Sequence, residues 1–235
     1  MGEVAVLVLM WSAIYGGQHT ISGLTLKEMI TYVLIGNIFY VMIRNFLASL
    51  VAGDIKDGNL SMALVRPMSY FSFIISREIG RISVATIMSI LSQAVVILFF
   101  AGSFIWNFNI LRILLIAAMV ILAFITELLL SYLVGLIAFW VDETDGLYAT
   151  IERVKKFFSG GYFPISLLPL AFVKVSFLLP FAYSFFVPAQ IYLNKMSLMA
   201  GVKGLLVQIV WIAALYGIIK IVWNRGLKRY EGVGI

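Results

Sequence analysis

The side chains able to do chemistry in this sequence are few, and most lie in short polar interruptions between long apolar runs. Two aspartate pairs at i, i+3 spacing, Asp54 with Asp57 and Asp142 with Asp145, have the carboxylate density that could hold magnesium against a diphosphate, as in an intramembrane transferase. Both pairs sit in loops where charge is expected anyway, and solvated loop charge is the stronger reading. Glu127 stands alone among Leu, Ile and Phe, a setting in which an ionisable group faces a bundle interior or an aqueous cavity. It is either a pathway residue or a paired structural acid. His19 has no second histidine or carboxylate cluster beside it, which disfavours a metal or catalytic role. The absence of cysteine excludes thiolate catalysis, disulfides and sulfur-ligated zinc. No G-x-x-x-x-G-K-[ST] phosphate loop is present, so this chain is not expected to bind ATP or any other cofactor itself.

The elements that must position these groups are set by hydropathy. Of 235 residues, 63% are hydrophobic and 12% charged, against roughly 45–50% and 25% in ordinary soluble domains. Too few polar residues remain to cover a water-exposed surface, so the fold expected is an all-α polytopic membrane protein. A crossing takes about 20 apolar residues, which leaves room for about six. The expected spans lie near 4–15, 29–51, 82–106, 110–141, 147–163 and 202–223, within one transmembrane domain covering 1–235. The first run, Val4 to Tyr15, reaches only about 18 Å at 1.5 Å per residue and looks shortened. Met1 to Met10 lacks a basic n-region and does not read as a removable signal peptide.

Between the second and third runs, 52–81 carries Asp54, Lys56, Asp57, Arg66, Arg77, Glu78 and Arg81, punctuated by Gly53, Gly58 and Pro67. In its second half Met68, Phe71, Ile75, Ile79 and Ile82 fall at helical spacing, with Glu78 on another side of the wheel, which predicts an amphipathic surface helix. In 142–158, Leu147, Ile151, Val154 and Phe158 can form a similar stripe. Hydropathy alone starts the fifth crossing near Phe157, beyond Glu152, Arg153, Lys155 and Lys156. The alternative starts it near Leu147, with those charges snorkelling or facing a cavity. From Phe157 to Leu193 the chain is apolar but holds Pro164, Pro169, Pro180 and Pro188, so no straight helix fits.

Of the 17 basic residues, 12 collect on one side if 44–81, 142–156 and the end from Lys220 onward share it; Lys27, Arg112, Lys174, Lys195 and Lys203 fall on the other. The positive-inside rule makes that richer side cytoplasmic, with both termini inside for six crossings. The net charge of +6 is thereby a topology signal and not one for nucleic acid.

The stretch Gly53-Asp-Ile-Lys-Asp-Gly-Asn-Leu-Ser-Met-Ala-Leu-Val-Arg-Pro67, followed by an amphipathic helix and a span, resembles the first cytoplasmic loop of bacterial ABC transporter permeases of the type-two exporter class. Ser159-Gly-Gly-Tyr-Phe-Pro-Ile-Ser-Leu-Leu-Pro169 and Leu179-Pro-Phe-Ala-Tyr-Ser-Phe-Phe-Val-Pro188 are similar to the re-entrant region before the last span of that class. The ending from Gly226 to Gly234 is similar to its six-span multidrug-type branch. The resemblance implies a six-helix permease half in the bacterial inner membrane, with a re-entrant hairpin in 160–193. It would pair with a second permease subunit, identical or paralogous, and be driven by a cytoplasmic ATPase dimer holding ATP and magnesium. On that reading Asp54, Asp57, Gly58, Arg66, Pro67, Arg77 and Glu78 couple to the ATPase. Glu127, Gly160, Gly161, Pro164 and Pro169 belong to the pathway or its gate. A membrane scaffold subunit without a transport cycle is the remaining alternative. The short first run departs from the family, which has a full first span.

Overall fold

The computed structural model describes residues 2–141 and 145–230. Among them every long element is helical, and the two-residue bridge Ile21 to Leu24 closes a turn. Helix α1 (Gly2–Tyr15) buries Val4, Val8, Trp11 and Tyr15, a 4-3-4 spacing that aligns one face against α2 (Leu26–Ile43). The intervening turn is fixed at both ends. Tyr15 Oη donates to the Leu24 carbonyl at 2.8 Å, while Thr25 and Glu28 form a capping box that starts α2.

The apolar run from Met29 to Val51 does not stay one helix. Helix α2 stops at Arg44, whose backbone turns extended, and after Asn45 and Phe46 the chain begins α3 (Leu47–Lys56). Gly58, at φ +77°, then admits α4 (Asn59–Leu64). The next helix, α5 (Tyr70–Phe99), is continuous. This corrects the expectation of a surface helix ending at Ile82 and a separate span 82–106. The buried residues of its first half, Tyr70, Ile74, Glu78 and Ile82, form a single row at spacing four, so nothing breaks the helix where the charges cease. Beyond Phe99 the chain passes through a short 3-10 turn and reaches Trp106 as non-helical backbone.

Helix α6 (Ile110–Gly135), extended by a 3-10 turn to Phe139, runs parallel to α10 (Leu198–Leu227). The register is set by glycine. A Cβ on Gly201 would meet Leu115, one on Gly204 would meet Met119 and Tyr183, and one on Gly226 would overlap the Phe139 ring. Lipid tails are as apolar as leucine, so helices in a bilayer associate by such close packing more than by hydrophobic exclusion. At Gly135 a Cβ would fall 2.8 Å from the Ala48 carbonyl oxygen, which seats α3 against the end of α6.

Among the described residues four elements, 26–56, 70–99, 110–139 and 198–227, are long and apolar enough to cross a membrane; a fifth is counted if α8 (Leu170–Leu178) and the segment 180–192, which includes α9 (Phe186–Tyr192), act as one bent span. Val4–Tyr15 is apolar but shorter. Outward-facing Val84, Ile87, Met88, Val95 and Leu98 on α5, and Val202, Leu206, Ile209 and Val210 on α10, suit hydrocarbon and not water. The chain is thus a multi-pass membrane protein. One end of the bundle carries Arg44, α3, α4 and the end of α10; the opposite end carries the starts of α2, α6 and α10.

Candidate functional site

Three groups of sequence-predicted residues come to three places, two of them adjoining. At the basic end, Glu78 is fully buried on α5. It accepts the Phe46 backbone N–H at 2.6 Å and a forked pair of bonds from Arg81, at 2.7 Å from Nε and 2.6 Å from Nη2. The guanidinium groups of Arg44 and Arg81 both lie over the Phe46 ring, at 4.8 Å and 4.7 Å from its centroid. Glu78 therefore clamps the break between α2 and α3 onto α5. Its place on the buried face, where the helical wheel sets it among the polar residues, follows from that backbone donor 32 residues away.

Asp54 is the second tie. Buried on α3, it accepts from Tyr70 Oη at 3.0 Å and lies 3.6 Å from Arg77 Nη1. The Tyr70 ring stacks on Trp223 of α10 with centroids 5.4 Å apart, so α3, α5 and α10 are joined at one end. Asp57 stays exposed at the end of α3. Among the described residues no group of three His, Cys, Asp or Glu side chains is placed to hold a metal ion. Asp142 lies outside the described residues, as does the side chain of Asp145.

Gly58 and Pro67 bracket α4 and the turn after it, where Met62, Leu64, Val65 and Met68 stand exposed beside Arg66. Val65 is 86% exposed, the extreme among the large apolar side chains of that turn. Sequence inspection misses Met62, Leu64 and Val65, because an apolar residue in a charged loop carries no signal of whether it turns in or out, and it sets Met68 on the apolar face of the next helix, whereas Met68 stands exposed. Arg66 stacks at 4.4 Å on Phe73 and holds the turn to α5.

Deeper in the bundle, Glu127 of α6 pairs with Lys155 of α7 (Asp145–Ser159), and Lys155 also pairs with Glu152 one turn away. Glu127 sits about 12 Å before the end of α6 and Lys155 about 15 Å past the start of α7, so the two helices run antiparallel with the charges level. Among the described residues α7, at 15 residues, is not one of the helices long and apolar enough to cross a membrane. Helix α7 turns Tyr148, Glu152 and Lys155 inward, while Leu147 and Val154 of the expected apolar stripe face outward. Its charged face is the packed one. Next to the triad opens a small cleft of about 40 Å³ lined by Tyr40, Arg44, Asn45, Glu127, Glu152, Lys155, Lys156, Ser159, Phe181 and Ser184, among others.

The third place begins where α7 ends. Gly160, at φ +83°, and the bond from the Gly161 N–H to the Lys156 carbonyl at 2.9 Å form a left-handed helix cap. Tyr32 Oη donates to the Gly160 carbonyl at 2.7 Å. The prolines then open elements and do not kink them. Pro164 precedes a 3-10 turn, Pro169 precedes α8, Pro180 starts a second turn, and Pro188 lies in the first turn of α9. Each sits where a helix lacks an N–H partner anyway. The axis bends by 78° after α8. Trp211 Nε1, about 20 Å into α10, donates to the Leu178 carbonyl at 3.0 Å. At the other end of α9, Asn107 Nδ2 donates to the Tyr192 carbonyl at 2.7 Å and Arg112 Nη1 to the Ile191 carbonyl at 2.8 Å. The bend thus lies at mid-bundle depth, and α9 climbs from it to the opposite end. Glu127 and Ser159 line the cleft, and Gly160 and Gly161 adjoin it; Pro164 and Pro169 do not line it.

A multi-pass helical bundle with a braced end and a charged interior cleft is the class of molecule on view. The family described as ABC-2 family transporter protein matches residues 1–234, and the chain belongs to that family. No curated protein and no solved structure matches it.

Proposed function

We propose that this chain is a permease subunit of an ATP-driven exporter, forming half of a translocation pathway and coupled through its basic end to a separate cytoplasmic ATPase dimer. Family membership supports the transporter class. The observation that supports the coupling role is the exposed apolar turn Met62, Leu64, Val65 and Met68, carried on a short helix that is cross-braced to the spans. A partner seated on that turn pushes on α4; the push passes through Asp54 and Tyr70 to α10, and through Glu78 and Phe46 to the break in α2. Arg77 and Glu78 act as internal ties on this reading, while Asp57, Gly58, Arg66 and Pro67 form the contact face.

Six crossings are α1, α2, α5, α6, α7 and α10, with α8 and α9 as a re-entrant hairpin in the outer half. Both termini then face the cytoplasm of a bacterial inner membrane, and a second permease subunit completes the pathway. The α8–α9 pair closes its outer side: irregular backbone survives at membrane depth only where protein satisfies its polar groups, as Trp211, Asn107, Arg112 and Tyr32 do.

Co-expression with an ATPase encoded beside it tests the proposal. The chain should retain that ATPase through purification and raise its hydrolysis rate, and Val65→Asp should lower both. Retention and stimulation unchanged in Val65→Asp and Met62→Asp would remove the docking assignment.

A further inference from the structure

A second pocket, of about 430 Å³, opens between the start of α5 and the last third of α10, with Tyr132 of α6 at its back. We propose that it binds the phosphate of an anionic lipid, with Lys220 and the Tyr132 hydroxyl as donors. The chemistry stands on this pocket alone; its assignment to the cytoplasmic leaflet rests on the permease reading. Lys220 is the one charged residue of the lining. Its ammonium lies over the Tyr216 ring at 4.5 Å and pairs with no carboxylate among the described residues. Asp54, behind Tyr70, is already taken by the Tyr70 hydroxyl and Arg77. The pocket therefore favours an anion.

Tyr132 is the independent observation. It is 1% exposed, yet its hydroxyl has no hydrogen-bond partner among the described residues and is not one of the sealed orphan atoms of the core, so the little surface it keeps opens on the pocket. Buried Tyr hydroxyls usually find a partner, and an orphan at the back of a roomy pocket marks a position for an acceptor oxygen. The start of α5 adds to this. Ser69 caps the Ser72 N–H, while the Tyr70 and Phe71 N–H groups, the first two of a 30-residue helix, have no intrahelical acceptor and lie at its positive end. Lipid, and not free phosphate, follows from the walls and the depth. Lys220 lies about 10 Å inside the end of α10, the level of a headgroup and the first part of its chains. Trp223 and Ile219 wall the pocket, and Tyr216, Ile209 and Val202, exposed at a spacing of seven, carry an apolar track from it along α10 for a tail.

The full-length chain in an uncharged maltoside detergent, without any ATPase, provides the assay, so failure of the docking proposal or of the topology leaves it unaffected. Dioctanoyl phosphatidic acid, dioctanoylglycerol and inorganic phosphate are the probes, followed by equilibrium dialysis. The expected result is saturable binding of the phosphatidic acid, with the other two at least about tenfold weaker, the loss of one charge-assisted contact or of the tail contacts. Lys220→Gln should weaken the phosphatidic acid about tenfold or more. Tyr132→Phe keeps the ring and breaks no hydrogen bond of the empty protein, so it should fold with an unchanged Tm and still bind several-fold more weakly. Lys203→Gln, a cation at the other end of α10, should change nothing. Equal binding of inorganic phosphate would overturn the lipid, equal binding of dioctanoylglycerol would overturn the phosphate, and unchanged binding in either Lys220→Gln or Tyr132→Phe would overturn the site.

Discussion

Replacing Lys155 by methionine removes the only charge that the triad's two carboxylates share while keeping the length of the side chain. Glu127 and Lys155 are each 13% or less exposed, and Glu152 is about one quarter exposed, so water screens the loss only partly. Breaking a buried pair by deleting one partner costs about 3–5 kcal/mol, because the remaining charge is left uncompensated. In a chain of this size each kcal/mol moves Tm by about 2–4 °C, so the expected fall is about 6–20 °C. The second variant distinguishes charge from packing. Glu127→Leu combined with Lys155→Met converts the contact to an apolar one of similar volume and should recover most of the loss, since buried pairs replaced by packed hydrophobic residues are often neutral. Thermal unfolding of the purified chain in one fixed detergent, with all four members of the cycle side by side, gives the coupling. A Lys155→Met protein that melts within about 2 °C of the wild type would have lost no more than about 1 kcal/mol. That result, or a double variant no better than the single, would refute the reasoning.

Three further outcomes follow from the same contacts. Glu78→Ala strands the Phe46 N–H and frees Arg81, at a cost of about 1–3 kcal/mol, and should open 44–46 to limited proteolysis; a wild-type cleavage pattern would count against the clamp. Gly160→Ala forces a left-handed backbone on an L-residue at about 1–2 kcal/mol and sets a Cβ 2.7 Å from Tyr32 Oη; adding Tyr32→Phe should relieve the steric part, which is read as a partial recovery of Tm. Gly135→Ala drives a Cβ against the Ala48 carbonyl and Val51, and overpacking of this kind costs about 1–3 kcal/mol; it should lower Tm and, by lifting α3 off α6, reduce stimulation of a partner ATPase.

The apolar runs mark the long helices, and Gly58 with Pro67 marks the short helix between them, because left-handed backbone and proline punctuation are local properties of the chain. The prolines of 160–193 likewise announce a broken segment. What sequence does not carry is partnership at a distance. Glu78 looks like surface charge until the Phe46 N–H stands beside it, and Ile82 looks like the start of a span because charge ends there, although helix geometry has no reason to break. Of the apolar stripe on α7, Leu147 and Val154 face outward and Ile151 and Phe158 are half-buried. The groups of α7 that find a packed partner are the charged ones, Lys155 and Glu152 beside Glu127. Tyr132 gives no sign in sequence at all, since its unpaired hydroxyl is a property of the packed pocket.

Sidedness tests the central claim most directly, and the chain's lack of cysteine makes it a clean background for single-cysteine labelling. Val65→Cys at the braced end and His19→Cys in the turn at the opposite end should react with an impermeant maleimide from opposite sides. His19→Cys should label in intact cells, and Val65→Cys only after the cytoplasmic face is opened, with the bound ATPase protecting it. Labelling of Val65→Cys in intact cells would put the docking turn outside, where no ATPase can reach it.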